Sequence, residues 1–217
     1  MKGRVVLTLA IVLVAAASLG AAPITVQVGD KDGYGMGCPD VGVCIWNGSG
    51  LFGSDMDHRD AAEKAAVNGA QITDVYSAIF PGSGPNGSTT ADVLFPFFGT
   101  LTSASLTIAM GDFQCSTFGP ITAEINGVPL PFCFDDGFHV TTIRTFVLNA
   151  AELAAANAIQ EVDLHLDHND SGDFIAFDWF QLDAPAVPEP SSLLLLSTGL
   201  VGLAVIAGRK KLFTTLA

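Results

Sequence analysis

The chain has 217 residues, with 22 acidic side chains against 9 basic ones and a formal charge of −13 at neutral pH. Between residues 23 and 187, four basic side chains face twenty-one acidic ones, a formal charge of −17. Such a surface is repelled by nucleic-acid phosphates and anionic lipid, which excludes nucleic acid as a partner, and it attracts cations, although solubility alone accounts for the same charge.

The N-terminal end reads as a secretory signal, with Lys2 and Arg4, an apolar run from Val5 to Ala17, and small residues at Ser18, Gly20, Ala21 and Ala22. We take residues 1–22 as this leader. Residues 23–184 then form one extracytoplasmic domain, long enough to bury a real core.

The domain reads mostly as strands. Ile24, Val26 and Val28 alternate with polar residues, and Ala104, Leu106, Ile108 and Met110 share one face of a run from Leu101. Thr141 to Asn149 sets Ile143 and Val147 opposite Phe146 and Leu148. Val162, Leu164 and Leu166 oppose Asp163, His165 and Asp167, the pattern of a half-buried strand. Phe174 to Leu182 is apolar on both faces, which predicts a central strand. Two alanine-rich stretches open with capping-box signals, Asp60 with Glu63 and Asn149 with Glu152. The sum predicts an all-β, jelly-roll-like β-sandwich of about eight to ten strands with two short helices.

Four cysteines in an exported chain point to disulfides, and nearest-neighbour pairing is Cys38 with Cys44 and Cys115 with Cys133, one of three connectivities. Asp178 falls inside the predicted central strand, where a carboxylate loses water and needs a partner. Either loop backbone N–H groups supply that partner, or Asp178 holds a structural Ca²⁺ with Asp30 and Asp32 from the turn after the first strand. Asp55, Asp57 and Asp60 resemble the start of a calcium loop but lack the glycine and glutamate that would complete it, and Asp167, Asp170 and Asp173 read as a solvated hairpin tip. His165 and His168 read as exposed polar positions. Glu124, Asp135 and Asp136 are the carboxylates that a glycosidase reading would use. Trp46, in a Gly-rich loop, either stacks on sugar rings or packs over the Cys38–Cys44 loop.

Residues 185–217 form a separate tail. Pro188-Glu189-Pro190 precedes an apolar stretch of eighteen residues, Ser191 to Gly208, near the lower limit of about 17 for a spanning helix. Backbone groups in lipid must be satisfied internally, which predicts a transmembrane helix over 191–208. Arg209, Lys210 and Lys211 follow at once and favour the cytoplasmic side, as Lys2 and Arg4 do, so the body between is threaded outside.

Pro-Glu-Pro, a span and a basic cluster, in this order behind a leader, resemble the PEP-CTERM sorting signal of Gram-negative bacteria over Val187 to Lys211. The resemblance implies an exosortase as partner, cutting near the motif, with passage through the inner membrane to the cell surface or extracellular matrix. It also implies an association with exopolysaccharide and biofilm. Val28 to Gly35, Asn68 to Asp74 and Gly172 to Phe180 look like segments of jelly-roll domains in other PEP-CTERM proteins, the last also like the closing strand of galactose-binding-like modules. The implied role is a non-catalytic surface or matrix protein, with carbohydrate binding as its extension. A secreted polysaccharide hydrolase and a plain C-terminally anchored protein are the rivals.

Overall fold

A computed structural model describes residues 23–46, 49–50, 56–81, 87–185 and Gly199. The leader, Pro188, Glu189, Pro190 and the basic cluster lie outside the described residues, as does the predicted span 191–208 apart from Gly199. Among the described residues no helix is long and apolar enough to cross a membrane. Residues 24–185 form one compact unit.

The compact unit is a β-sandwich. Its larger sheet contains β1 (Ile24–Gly29), β2 (Gly42–Val43), β5 (Met56–Asp57), β6 (Val75–Ser77), β8 (Ser105–Gly111), β11 (Val140–Val147) and β13 (Ile175–Ala184). The smaller sheet runs β10 (Val128–Leu130), β9 (Thr122–Ile125), β12 (Glu161–Asp167), β7 (Thr90–Pro96). A separate ribbon pairs β3 (Ile45–Trp46) with β4 (Ser49–Gly50). The inner faces of the two sheets meet in one core. Val93 and Phe95 of β7, Leu106, Ile108 and Met110 of β8, and Val162, Leu164 and Leu166 of β12 are fully buried there. Strict alternation in β12 places His165 and the acids on the opposite face, the signature of a sheet with one dry side.

Both capping boxes are present. Asp60 and Glu63 start the helix Ala61–Ala65, and Asn149 and Glu152 start the helix Ala150–Ile159. A further helix, Cys115–Phe118, carries no capping side chain and so left no sequence signal. The cysteines pair as Cys38–Cys44 and Cys115–Cys133.

β13 is central, as its two apolar faces predict. One edge pairs with β8 along its length. The other edge is shared: Ile175 to Phe177 pair with β6, and Trp179 to Ala184 pair with β1. Between the two partners lies Asp178, where a bulge interrupts the register with β8. Regular alternation over Phe174 to Leu182 would put Asp178 on one face with Phe174, Ala176, Phe180 and Leu182, and the bulge breaks it. Phe177 and Phe180 both enter the core although they are three residues apart, so Asp178 does not share a face with Phe180 and Leu182.

Candidate metal centre

The bulge at Asp178 is a seam into which two loops turn. β1 ends opposite Trp179 at Gly29, and the chain leaves through Asp30 and Asp32. β6 begins opposite Phe177 at Val75, so Asp74 stands one residue before the ladder, its N–H donating to the Phe177 carbonyl at 2.8 Å. Gly29 has φ +75°, and a Cβ there would lie 2.6 Å from Thr73 Cγ2 and 2.7 Å from the Asp178 carbonyl oxygen. Only glycine allows the two loops to close this tightly. Asp32 accepts the Gly35 N–H at 2.6 Å and so shapes the turn that follows.

One carboxylate oxygen from each of Asp30, Asp32, Asp74 and Asp178 lies within 4.8 Å of all the others. Asp30, Asp32 and Asp178 are the three residues proposed from sequence, and the structure brings them together. Asp74 was missed, because an acid just before a strand has no periodicity to single it out. Its φ of +56° puts its side chain into the seam.

Among the described residues, no lysine or arginine forms an ion pair with this cluster. Lys31 turns away, its Nζ 3.9 Å from the Trp179 ring centroid and donating to Gln181 Oε1 at 2.7 Å. Arg59 and Lys64 pair with Asp57, and Arg144 pairs with Asp136. Asp178 is fully buried, and its Oδ1 accepts the Tyr34 N–H at 2.7 Å. Its Oδ2 is buried and accepts nothing, and so is Oδ1 of Asp74, a residue only 3 % exposed. Burial, then the charges of Glu63, Asp32, Asp178 and Asp30, push the Asp74 carboxyl up to about 9. Burial also raises Asp178, to about 7, against the lowering effect of the Tyr34 N–H. Asp30 is raised by burial and by Asp32. Ionised carboxylates this close need a proton or a cation between them.

A second buried acid shows the contrast. Asp112 Oδ2 accepts from the Tyr76 hydroxyl at 2.7 Å, and Oδ1 accepts from the His139 N–H at 3.0 Å and Gln114 Nε2 at 3.3 Å. Three donors satisfy that carboxylate, so Asp112 is a structural acceptor. Glu63 is likewise occupied by the Thr73 hydroxyl and the Asp60 N–H. The seam differs in offering bare hard oxygens from two loops and a strand, the donor set that suits Ca²⁺.

The remaining sequence candidates separate. Asp57 pairs with Arg59 and Asp60 caps a helix, while Asp55 lies outside the described residues. Asp173 is no solvated tip: it is 4 % exposed and accepts the Gln114 N–H at 2.7 Å. His165 sits on the outer face of the smaller sheet, bonded to Asp92 at 2.6 Å, which raises its pKa. His168, expected exposed, is buried and packs edge-on against Phe80, because the turn after β12 folds back on the residues before β7. Glu124 lies beside His165, whereas Asp135 accepts the Ser116 N–H and Asp136 holds Arg144 of the other sheet. The side chain of Trp46 lies outside the described residues.

Comparison with solved structures finds weak likenesses. Part of dimeric latent PorU from Porphyromonas gingivalis is 16 % identical with a TM-score of 0.33, covering 66 % of this chain and 14 % of that one. The GH26-CBM35 β-(1,4)-mannanase of Podospora anserina is 13 % identical with a TM-score of 0.25, covering 46 % of this chain and 20 % of that one. The chain thus spans a fifth or less of the length of either. No curated protein sequence matches it. At the other end of the chain, residues 186–211 match the PEP-CTERM protein-sorting motif. The chain therefore carries a PEP-CTERM sorting signal and is an exported protein sorted at the membrane by an exosortase.

Proposed function

We propose that the exported domain is a non-catalytic surface or matrix protein whose sandwich is locked by a structural Ca²⁺ held by Asp30, Asp32, Asp74 and Asp178. The observation that carries this reading is the pair of buried, unpartnered oxygens, Asp74 Oδ1 and Asp178 Oδ2, in a four-carboxylate seam with which no described lysine or arginine pairs. The ion would tie the end of β1 and the start of β6 to the bulge of β13, closing the one gap along that strand's edge. A donor set of carboxylates alone suits a structural ion, which is why stability is the role proposed for it. Binding of matrix polysaccharide is the extension that the sorting signal suggests.

Melting of the full chain in detergent, stripped with chelator and then resupplied with CaCl₂, tests the metal. A rise in Tm with calcium and none with an equal charge of Na⁺ is expected, and an unchanged Tm removes the site. Native electrophoresis in gels containing neutral or acidic polysaccharide tests the extension, which fails if no polysaccharide retards the chain.

A further inference from the structure

At one end of the sandwich the helix Ala150–Ile159 crosses from β11 to β12, from the larger sheet to the smaller. β1 enters at this end with Ile24 opposite Ala184, and β13 leaves from it. The loop after β7 is pinned to the last turn of the helix. Phe97 N–H donates to the Gln160 carbonyl at 3.1 Å, and Gly99 N–H donates to Gln160 Oε1 at 3.0 Å. Leu101 N–H donates to Asn157 Oδ1 at 2.7 Å, and Asn157 Nδ2 returns a bond to the Leu101 carbonyl at 2.9 Å.

These bonds hold Phe98, between two anchored neighbours, 96 % exposed. Val147 is 77 % exposed and Ile159 61 %, and the helix turns Ala151, Ala154 and Ala158 to solvent. The same end carries no exposed charge along these segments. Residues 97–104 and 147–160 hold one ionisable side chain, Glu152, which is buried and occupied in its capping box. The first acids beyond them are Glu161, at the start of β12, and Asp183, which accepts from Thr25 and Gln181. Apolar side chains gathered without charge, on a domain of formal charge −17, mark a surface that meets another apolar phase.

Where the chain goes next says which phase. Pro185 leaves from this end, and the predicted span begins at residue 191. Six residue steps reach at most about 22 Å, so an uncut tail keeps this end at the bilayer. Such a tether sets a high local concentration and turns a weak lipid affinity into steady contact. The acidic remainder of the domain is repelled by anionic headgroups, which leaves the uncharged end as the face that can approach them.

We propose that this end of the sandwich is a lipid-facing platform, with Phe98 and Ile159 entering the headgroup boundary of the membrane while the sorting tail is intact. Cutting the tail removes the tether and with it the contact. The inference rests on the predicted span and is independent of calcium.

Tryptophan emission of the full chain, reconstituted in phosphatidylcholine vesicles with and without bromine on the acyl chains, tests the proposal. Phe98→Trp is compared with the wild type, which supplies the background of Trp46 and Trp179, and with Asp170→Trp, exposed beyond the far end of β12. The emission added by Phe98→Trp should be blue-shifted and lost in brominated vesicles, while that added by Asp170→Trp keeps the wavelength of indole in water and is not quenched. Emission from Phe98→Trp that stays at the water wavelength and unquenched overturns the proposal. Blue-shifted but unquenched emission gives the face to a second copy of the chain and overturns it as well. A chain that does not float with the vesicles has no span, and the proposal falls with it. Should Phe98→Trp misfold, Ile159→Trp makes the same measurement from the helix.

Discussion

Replacing Asp178 by Asn tests the metal centre through a change of sign. The amide keeps the shape and leaves an oxygen to accept the Tyr34 N–H, but removes one charge from a seam where four carboxylates come within 4.8 Å. Without calcium the variant should be at least as stable as the wild type, because a buried, uncompensated charge has been deleted. With calcium the order reverses. A site with Kd of about 10⁻⁴ M, typical of extracellular modules, stabilises the fold by about 2.7 kcal/mol when the ion is a hundredfold above Kd. A tenfold weaker variant gains about 1.4 kcal/mol at the same concentration. For a domain of this size 1 kcal/mol shifts Tm by about 2–4 °C, so calcium should raise the wild type by about 5–11 °C and the variant by about half as much. Circular dichroism melts of both chains, with chelator and with calcium, read the crossing directly. If Asp178→Asn lowers Tm by the same amount in both conditions, Asp178 is only a hydrogen-bond acceptor for Tyr34 and the metal reasoning fails.

Gly29→Ala forces a Cβ into Thr73 and the Asp178 carbonyl at a positive φ, so it should cost more than about 1 kcal/mol and reduce calcium affinity as well. Chemical denaturation and titration of the variant check both effects. Cys115→Ser/Cys133→Ser opens a bridge with a sequence separation of 18. It should cost about 3 kcal/mol while leaving calcium Kd unchanged, since that bridge lies away from the seam; a changed Kd would contradict the assignment. His168 is buried and neither ring nitrogen has a partner in good geometry among the described residues, so burial lowers its pKa below 6.5. Its neutral form is favoured in the folded state, so its contribution to stability is intact above pH 6.5 and is lost as the pH falls through 6.5 toward the folded-state pKa. His168→Leu should therefore narrow the Tm difference between pH 7.5 and pH 5, and an unchanged difference would count against it.

Much of this architecture is legible in the sequence wherever one physical signal dominates. β12 alternates without exception, both capping boxes announce their helices, and the apolar run from Phe174 marks the central strand. β7 was missed, because Thr90–Pro96 ends in a proline and mixes Asp92 with apolar residues, although Val93 and Phe95 are fully buried. The site was half legible. Asp30, Asp32 and Asp178 stood out as acids on a glycine-rich turn and inside an apolar strand. Asp74 becomes visible only when the topology brings β1 and β6 to one bulge. A bulge shifts every later side chain by one position, and nothing local in Phe177-Asp178-Trp179 marks it. His168 shows the reverse error: a polar residue at a strand end reads as exposed until the following turn covers it.

The sorting signal and the seam impose one order of events on the chain. Disulfides do not persist in a reducing cytoplasm, so the Cys38–Cys44 loop closes only after export. Before it closes, the Tyr34 N–H is not fixed over Asp178, and the acids at the bulge repel one another. On the calcium reading proposed above, the same acids that repel one another before export would become ligands where calcium is supplied, and completion of the fold would then be tied to arrival on the far side of the membrane.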